Sequence, residues 1–204
     1  MNDPKSIIEP IGGWFVDGFA KLRNRPFVPH SLTKLQNIIA CRDLSGARTA
    51  VEIGSFKGVM TKRLSYFFDK VISVEIDESL YRIAKERCRR RNNVELIQGD
   101  GTKLLGSISA RVERALIFLD GHFSGGATGH GDVPEPVLQE VDLMQQHMKN
   151  YVGVVVDDFR LFGVEKDWPS KGEVLHKMEE TFPHPQWNIN VMNDQIIAYR
   201  QKVK

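Results

Sequence analysis

The chain has 204 residues, enough to bury a sizeable core within one domain without disulfides or structural metals. Hydrophobic residues make up 41% of the chain and charged residues 26%, as in ordinary globular proteins rather than disordered or membrane-spanning ones. A formal net charge of +2 indicates no class of partner by itself, so any indication of function must come from the sequence motifs.

The two cysteines, Cys41 and Cys88, form neither a CxxC motif nor a Cys/His spacing. Isolated cysteines of this kind indicate reduced thiols rather than a disulfide framework or a zinc site. The N-terminal residues show no basic stretch followed by an apolar one, and no run approaches the roughly 18 apolar residues of a membrane span. We therefore predict a cytoplasmic protein with no membrane partner.

Two segments with helical apolar spacing come first in the chain, over residues 7–22 and 29–44. Ser31 is the predicted N-cap of the second helix. We interpret residues 1–46 as a helical preface that either covers a binding site or forms a homodimer contact. Residues 47–204 would form the core of the same single domain.

From Thr49 onward, short Val- and Ile-rich runs alternate with helical stretches, a pattern typical of parallel βαβ units with helices on both faces. Only Asn193 and Asp194 separate the last two runs, and a two-residue connection can join only antiparallel neighbours. We therefore predict a doubly wound α/β sheet, mostly parallel, that ends in an antiparallel hairpin. The predicted strands cover residues 49–53, 71–76, 94–98, 115–120, 152–156, 186–192 and 195–200, and the predicted helices cover residues 57–68, 79–91, 136–148 and 171–182.

A pair of glycines follows the first predicted strand, in the stretch "EIGSFKG". Ligands of doubly wound sheets bind beyond the carboxyl ends of the strands. Gly54 and Gly58 let the backbone turn tightly and approach a ligand at the N-terminus of the next helix. The spacing is GxxxG rather than GxGxxG, and a tight strand-to-helix turn without a ligand is the alternative interpretation.

Acidic residues follow the second and third predicted strands. Glu75 ends the second strand, where a carboxylate can accept hydrogen bonds from ribose hydroxyls. Asp100 follows the third strand, where it can contact an adenine amino group. A helix N-cap is the alternative role for each acid, although Asp77 is a better cap candidate than Glu75. Together with the glycines, these acids predict a nucleoside pocket.

Three motifs, "VEIGSFKG", "VISVEID" and "IQGDG", resemble in this order the first motif, the ribose-binding strand end and the adenine-side motif of class I S-adenosylmethionine-dependent methyltransferases. The resemblance covers roughly residues 47–200 and implies a Rossmann-like seven-stranded sheet with strand order 3-2-1-4-5-7-6 and an antiparallel last strand. The commoner form of the first motif is ExGxGxG, and this chain has Phe56 in place of its middle glycine. In this respect the turn resembles that of the catechol-type O-methyltransferases. The residues that the resemblance implies at the cofactor S-adenosylmethionine are Glu52, Gly54, Ser55, Phe56, Gly58, Glu75, Asp100, Gly101 and Asp120.

Carboxylates also follow the fourth and fifth predicted strands, in "FLDGH" and "VVVDDF". Asp120, Asp157 and Asp158 would converge, because these strands are neighbours in the implied order. Adjacent buried carboxylates require a compensating charge, and an all-oxygen ligand set suits Mg²⁺. We therefore predict a divalent metal here, as in the macrocin-type O-methyltransferases that the pattern resembles. In the alternative interpretation one aspartate caps the next segment and the other pairs with Arg160.

A glycine-rich loop, residues 121–136, follows the fourth predicted strand and would lie at the mouth of the site. His122 is the predicted general base and His130 a second candidate, because a neutral imidazole can take a hydroxyl proton. A surface histidine is the alternative for both. Asp120 and Asp157 complete the predicted catalytic residues.

The resemblance implies methyl transfer from S-adenosylmethionine to a hydroxyl of a small molecule, such as a sugar or natural-product glycoside, assisted by Mg²⁺. The alternatives are a non-catalytic S-adenosylmethionine-binding or regulatory protein and an RNA methyltransferase. The basic run "KERCRRRNN" is the reason for the RNA interpretation, because arginines can bind phosphates. However, cations at the C-terminus of a helix also stabilise the helix through its dipole, and no aromatic residues for base stacking lie among them. We therefore expect a small-molecule acceptor and no nucleic-acid partner. The glycine spacing disfavours a nicotinamide dehydrogenase.

Overall fold

The computed structural model describes residues 5–23, 29–121 and 135–201, with the side chains of the first helix described from Phe15 onward. The described residues form one seven-stranded sheet with helices on both faces. The strands are β1 (Thr49–Ile53), β2 (Lys70–Glu75), β3 (Val94–Gln98), β4 (Ala115–Leu119), β5 (Tyr151–Val156), β6 (Asn188–Met192) and β7 (Gln195–Tyr199). The helices are α1 (Lys5–Leu22), α2 (Ser31–Ser45), α3 (Val59–Leu64), α4 (Glu78–Cys88), α5 (Gly101–Ser109), α6 (Val137–Gln145) and α7 (Lys171–Thr181), with two short 3-10 helices at Met148–Asn150 and Phe159–Leu161.

The strand order is β3-β2-β1-β4-β5-β7-β6, and β7 runs antiparallel to both of its neighbours. The predicted sheet is therefore confirmed, and each strand lies within two residues of its predicted ends. The Val- and Ile-rich strands are buried because helices cover both faces of the sheet. Successive side chains alternate between these faces, so that Val51 and Ile53 contact one layer of the core and Ala50 contacts the other.

Helix α2 is part of the core rather than a separate attachment. Its residues Leu35, Ile38 and Cys41 are buried against the face of the sheet that also contains Phe118. The N-cap of α2 is His30 rather than the predicted Ser31, because the Nδ1 atom of His30 accepts a hydrogen bond of 3.2 Å from the Leu32 amide. The expected cap residue is instead the first residue of the helix.

Helix α1 is attached to α2 through a buried carboxylate. Asp17 Oδ2 accepts hydrogen bonds from the His30 amide at 2.7 Å and from Thr33 Oγ1 at 2.5 Å. The outer surface of α1 exposes apolar side chains, among them Val16 and Leu22. No helix in the described part of the chain combines the length and apolarity needed to cross a membrane.

Helix α5 was not predicted as an element of its own. Asp100 caps this helix by accepting a hydrogen bond of 3.0 Å from the Thr102 amide. Leu105 and Ile108 of α5 are buried in the core layer that also contains α6 and α7. The glycines and serines of the segment weaken its helical signal, so that packing against α6 helps to define it.

Candidate active site at the carboxyl edge of the sheet

The residues after β1, β4 and β5 lie side by side because the strands end in register. Ile53 pairs with Leu119, and Leu119 pairs with Val156. The backbone ladder continues one residue further, since the Asp120 amide donates to the Ile53 carbonyl at 2.9 Å and the Asp157 amide to the Leu119 carbonyl at 3.0 Å. The predicted convergence of these strand ends is therefore present in the structure.

The turn after β1 requires glycine at two positions. Gly54 has φ +95, and a Cβ there would collide with the backbone of Asp120 and Gly121. Gly58 has φ +72, and a Cβ there would approach the Cα of Ala84 to 2.8 Å. The first collision shows that the chain leaving β4 passes directly over the end of β1. This closeness leaves bare backbone at the edge where a doubly wound sheet binds its ligands.

Glu75 lies beside this turn, at the end of β2. Its Oε2 accepts a hydrogen bond of 2.6 Å from the Phe56 amide, and its Oε1 accepts one of 3.0 Å from the Asp77 amide. Burial raises the pKa of the Glu75 carboxyl, although both backbone hydrogen bonds oppose the shift. The carboxylate thus joins the glycine turn to the end of β2.

Asp77 and Asp100 both cap helices, as the alternative interpretation of these acids expected. Asp77 Oδ1 accepts from the Leu80 amide at 2.9 Å, at the start of α4. Asp100 caps α5 and also forms an ion pair of 3.3 Å with Lys103 Nζ. Its proposed contact with adenine stays a prediction.

Glu52 is fully buried beneath the turn, between β2 and α3. Its Oε2 accepts hydrogen bonds of 2.5 Å from both Thr61 Oγ1 and Ser73 Oγ. Burial raises the pKa of Glu52 to about 7, although these two hydrogen bonds oppose the shift. Its Oε1 has no hydrogen-bond partner among the described residues. A buried acceptor of this kind is incomplete until a donor reaches it.

The positive charge beside the paired aspartates belongs to Lys34, on α2. Lys34 Nζ lies 2.5 Å from Asp157 Oδ2 and 2.9 Å from Asp158 Oδ1. Burial alone would lower the pKa of Lys34, but the charges of Asp157, Asp120 and Asp158 outweigh it and hold the pKa above its ordinary range. The side chain of Asp157 is fully buried, so this ammonium is its main electrostatic compensation.

Arg160 provides a second cation, as the alternative interpretation expected. Its Nη1 lies 2.8 Å from Asp158 Oδ1 and also pairs with Asp194, in the turn between β6 and β7. Burial would raise the pKa of Asp158, but the charges of Lys34 and Arg160 lower it. Asp158 has φ +52, a left-handed conformation that aspartate tolerates better than most residues.

The three predicted metal-binding aspartates are not grouped as a metal site in the part of the chain that the structure describes. No group of three or more His, Cys, Asp or Glu residues is arranged to hold a metal ion within residues 5–23, 29–121 and 135–201. Asp157 and Asp158 instead contact an ammonium group, and that positive charge would repel a divalent cation at the same oxygens. Within the described residues the charge beside these carboxylates is thus an ammonium group, and a Mg²⁺ ion at this edge stays a prediction.

Lys34 was the residue that sequence reasoning missed, although the chain carried a signal for it. Lys34 precedes the buried Ile38 by four residues and the buried Cys41 by seven. This spacing places the lysine on the buried face of α2, where a cation requires a partner. The identity of that partner, 123 residues further along the chain, was not visible from the spacing.

The predicted general base His122 and the second candidate His130 lie outside the described residues. Phe162, after the aspartates, is fully buried and packs at a tilt against Trp168, with ring centroids 5.3 Å apart. Phe162 therefore belongs to the core rather than to the surface of the edge.

The strand order and the glycine turn define the fold of the class I S-adenosylmethionine-dependent methyltransferases. An O-methyltransferase from Bacillus cereus, solved in complex with SAH, aligns with 97% of this chain and 94% of its own at a TM-score of 0.60 and 18% identity. A putative caffeoyl-CoA O-methyltransferase from Staphylococcus aureus aligns with 91% of this chain and 90% of its own at a TM-score of 0.56 and 16% identity. At such identities these likenesses show the fold alone.

Sequence comparisons extend over a smaller part of the chain. The family model for ribosomal RNA adenine dimethylase matches residues 30–107, which is less than half of the chain. A probable ribosomal RNA small subunit methyltransferase A from Methanosarcina mazei is 39% identical over 70 residues, or 34% of this chain and 26% of the relative. The matched stretch thus spans about a quarter of that relative's length. The match to the family model ends at residue 107, before β4.

Proposed function

We propose that this protein is a methyltransferase that binds S-adenosylmethionine at the carboxyl edge of the sheet, over the turn that follows β1. The observation that carries the proposal is the contact between Gly54 and the Asp120 backbone, which leaves no space for a side chain. Bare backbone beside the Glu75 carboxylate is an arrangement that suits the approach of a nucleoside.

The residues at this edge fit the cofactor by their chemistry. Bound S-adenosylmethionine would supply a methyl group activated by a positive sulfonium. Glu75 can accept hydrogen bonds from ribose hydroxyls, and Asp100 would lie on the adenine side. The carboxylate of Asp120 favours a ligand that carries positive charge, and the unpartnered Oε1 of Glu52 can form a hydrogen bond with it. The chain's contribution would be to orient the methyl group and to align an acceptor atom in line with it.

Calorimetric titration with S-adenosylhomocysteine tests cofactor binding. We expect wild type to bind, and Glu75→Ala to bind at least about tenfold more weakly because the ribose loses its acceptor. Glu95→Ala is the matched control, since Glu95 is also a strand carboxylate but is partly exposed and pairs with Arg111 and Lys70. Equal affinity in both variants, or no binding by wild type, would contradict the proposal. Binding without methylation of any acceptor would instead favour the regulatory alternative.

RNA is the first candidate acceptor. The sequence relatives are ribosomal RNA methyltransferases by name, and the chain also has a basic cleft that suits phosphates. The cleft encloses about 600 Å³. It is lined by Lys62, Tyr66, Glu86, Arg87, Arg89, Arg90 and Arg91.

Tertiary structure supplies the aromatic contact that the basic run lacks in sequence. The guanidinium of Arg91 stacks over the ring of Tyr66 at 3.5 Å from its centroid. Arg89 is paired with Glu86 at 3.0 Å, and the other cations of the cleft outnumber this carboxylate. Cations beside an aromatic ring are suited to the backbone and bases of single-stranded nucleic acid.

The cleft lies at the amino edge of the sheet, because α4 returns antiparallel to the strands and ends beside the start of β3. A strand of five or six residues separates the two edges by about 17–20 Å. The cleft would therefore hold a remote part of an RNA acceptor while another part reaches the carboxyl edge.

RNA binding is tested by anisotropy of a labelled single strand at several salt concentrations. The variant Arg87→Gln/Arg90→Gln should weaken binding and reduce the slope of log affinity against log salt by about 1 to 2. The control is Arg82→Gln, since Arg82 lies on the same helix but is exposed and paired with Glu78. A salt slope that is unchanged in the double variant would exclude the cleft as the phosphate-binding surface.

A small-molecule hydroxyl is the second candidate acceptor, favoured by the charge of the carboxyl edge. Among the described residues after β4, β5 and β6, the carboxylates of Asp120, Asp157, Asp158 and Asp194 lie there with the cations Lys34 and Arg160. This excess of negative charge repels a phosphate backbone, and the sequence match to the RNA methyltransferases ends at residue 107, before this region. Transfer of label from S-adenosylmethionine to total RNA or to sugar-bearing small molecules would decide between the two acceptors.

A further inference from the structure

Lys34 connects two parts of the fold that are distant in sequence. It lies on α2, and its ammonium contacts carboxylates after β5, at the edge where strand ends β1, β4 and β5 meet. Its side chain is 15% exposed, whereas that of Asp157 is fully buried. The ammonium thus lies between a buried carboxylate and the surface of the edge.

The hydrogen bonds of Lys34 leave part of the ammonium available. A lysine ammonium has three N–H donors. Asp157 Oδ2 and Asp158 Oδ1 accept two of them, and the third has no partner among the described residues. A donor at the partly exposed end of the group can reach an oxygen or nitrogen atom of a molecule bound at the edge.

A second polar link fixes the position of α2 against the same edge. Asn37, one turn after Lys34, donates through Nδ2 to the Gln195 side-chain oxygen at 2.8 Å and to the Met192 carbonyl at 3.0 Å. Its Oδ1 accepts from Asn193 Nδ2 at 3.0 Å. The helix is therefore held at the hairpin as well as at the aspartates, and the ammonium is positioned before any ligand arrives.

We propose that the Lys34 ammonium is the permanent cation of the acceptor site and holds the position that a divalent metal would otherwise occupy. It would compensate the charge of Asp157, share Asp158 with Arg160, and present its third N–H to the acceptor atom. The contact with an acceptor rests on the proposed methyltransferase function. The claim that Lys34 takes the place of a metal ion does not depend on that function. Lys34 is a contact for the acceptor, and Asp157 and Asp158 are its positioning residues.

Binding of Mn²⁺, followed by the loss of its free electron paramagnetic resonance signal and by calorimetry, tests the cation position. Wild type should bind no Mn²⁺ at millimolar concentration, because the ammonium repels it. Lys34→Gln keeps an N–H donor for the aspartates but loses the charge, and should bind Mn²⁺ at least about tenfold more tightly than wild type. Lys34→Arg should behave as wild type, since it restores the charge.

Lys171→Gln is the matched control. Lys171 is also a part-buried lysine near the segment after β5, but its Nζ donates to the carbonyls of Arg160 and Phe162 rather than to carboxylates. Its loss should create no Mn²⁺ site. Mn²⁺ binding by wild type, or equal weak binding in wild type and a folded Lys34→Gln, would overturn the proposal. If Lys34→Gln fails to fold without metal, recovery of its folded circular dichroism signal by Mn²⁺ supports the proposal, and failure to recover contradicts it.

The same variants separate this proposal from the proposed function. S-adenosylhomocysteine binding by wild type tests the methyltransferase function independently of Mn²⁺. Once an acceptor is known, Lys34→Gln should raise its KM at least about tenfold while the affinity for S-adenosylhomocysteine stays unchanged. An unchanged KM would show that Lys34 does not contact the acceptor, even if the Mn²⁺ experiment shows that its ammonium takes the place of a metal ion.

Discussion

The two halves of the carboxyl edge are built in different ways. On the proposed cofactor side, after β1, β2 and β3, the turn and the acidic residues come from short contiguous motifs, and the Gly54 turn contacts its neighbours mainly through backbone. On the proposed acceptor side, after β4 and β5, part of the compensating charge comes from Lys34, 123 residues before Asp157. A local motif predicts the first kind of site, whereas long-range packing creates the second.

The sequence relatives follow the same division. The match to the ribosomal RNA adenine dimethylase model covers residues 30–107, which contain the cofactor-side motifs and Lys34. The carboxylates that Lys34 contacts lie beyond it. The proposed cofactor side thus lies within the matched residues, and the carboxylates of the proposed acceptor side lie beyond them.

The largest effect should follow from breaking the acceptor-side ion pair. Lys34→Met leaves the fully buried Asp157 without its cation, and we expect a loss of about 3 to 5 kcal/mol in the free energy of unfolding, measured with urea. The control is Arg48→Met, which breaks an ion pair with Asp69 whose side chains are 73% and 64% exposed. That change should cost less than about 1 kcal/mol. Equal losses of unfolding free energy in the two variants would show that the buried ion pair stabilises the fold no more than the exposed one.

A single methyl group should disrupt the cofactor side. Gly54→Ala places a Cβ against the Asp120 backbone at φ +95, and we expect it to lower the free energy of unfolding by about 2 to 4 kcal/mol. It should also abolish binding of S-adenosylhomocysteine in calorimetry, because the turn must shift. Retained affinity would mean that the turn does not contact the cofactor.

Glu52 lies beneath the cofactor side and makes the stability depend on pH. Its pKa of about 7 in the folded protein lies above the ordinary value of 4.5, because burial disfavours the charged form. The folded state therefore retains a proton that the unfolded chain releases, and stability falls as pH rises between these two values, then levels above the higher one.

Glu52→Gln removes this titration and keeps an oxygen acceptor for Thr61 and Ser73. Relative to wild type, the variant should gain about 2 to 3 kcal/mol in the free energy of unfolding between pH 4.5 and pH 8. Parallel urea-unfolding curves for the two proteins across this range would show that Glu52 does not titrate there.

The smallest effect should come from a glycine of α5 that does not form a turn. A Cβ added at Gly106 would meet no atom within 4 Å, so Gly106→Ala encounters no obstacle. The change should stabilise the helix by about 0.5 to 1 kcal/mol, measured by urea unfolding, and should leave S-adenosylhomocysteine binding unchanged. If Gly54→Ala lowers the free energy of unfolding and Gly106→Ala raises it, the requirement for glycine lies in the turn after β1 rather than in α5.

Most of the fold could be predicted because its signals are local. Val- and Ile-rich runs such as residues 152–156 indicate buried strands, and the two-residue connection at Asn193 and Asp194 requires an antiparallel hairpin. Helix α5 was missed because its glycines and serines carry little helical preference. Its formation depends on the Asp100 cap and on packing against α6.

By itself the sequence determined which residues follow each strand, and therefore which side chains meet at the carboxyl edge. It also indicated that Asp157 and Asp158 require a compensating charge, because two adjacent buried carboxylates repel each other. Only the tertiary structure decided which cations supply it. Lys34 reaches those oxygens because α2 packs across the sheet, and Arg91 meets Tyr66 because α4 returns beside α3. Contacts between distant segments depend on how the helices pack, and this packing cannot be predicted from the spacing of residues along the chain.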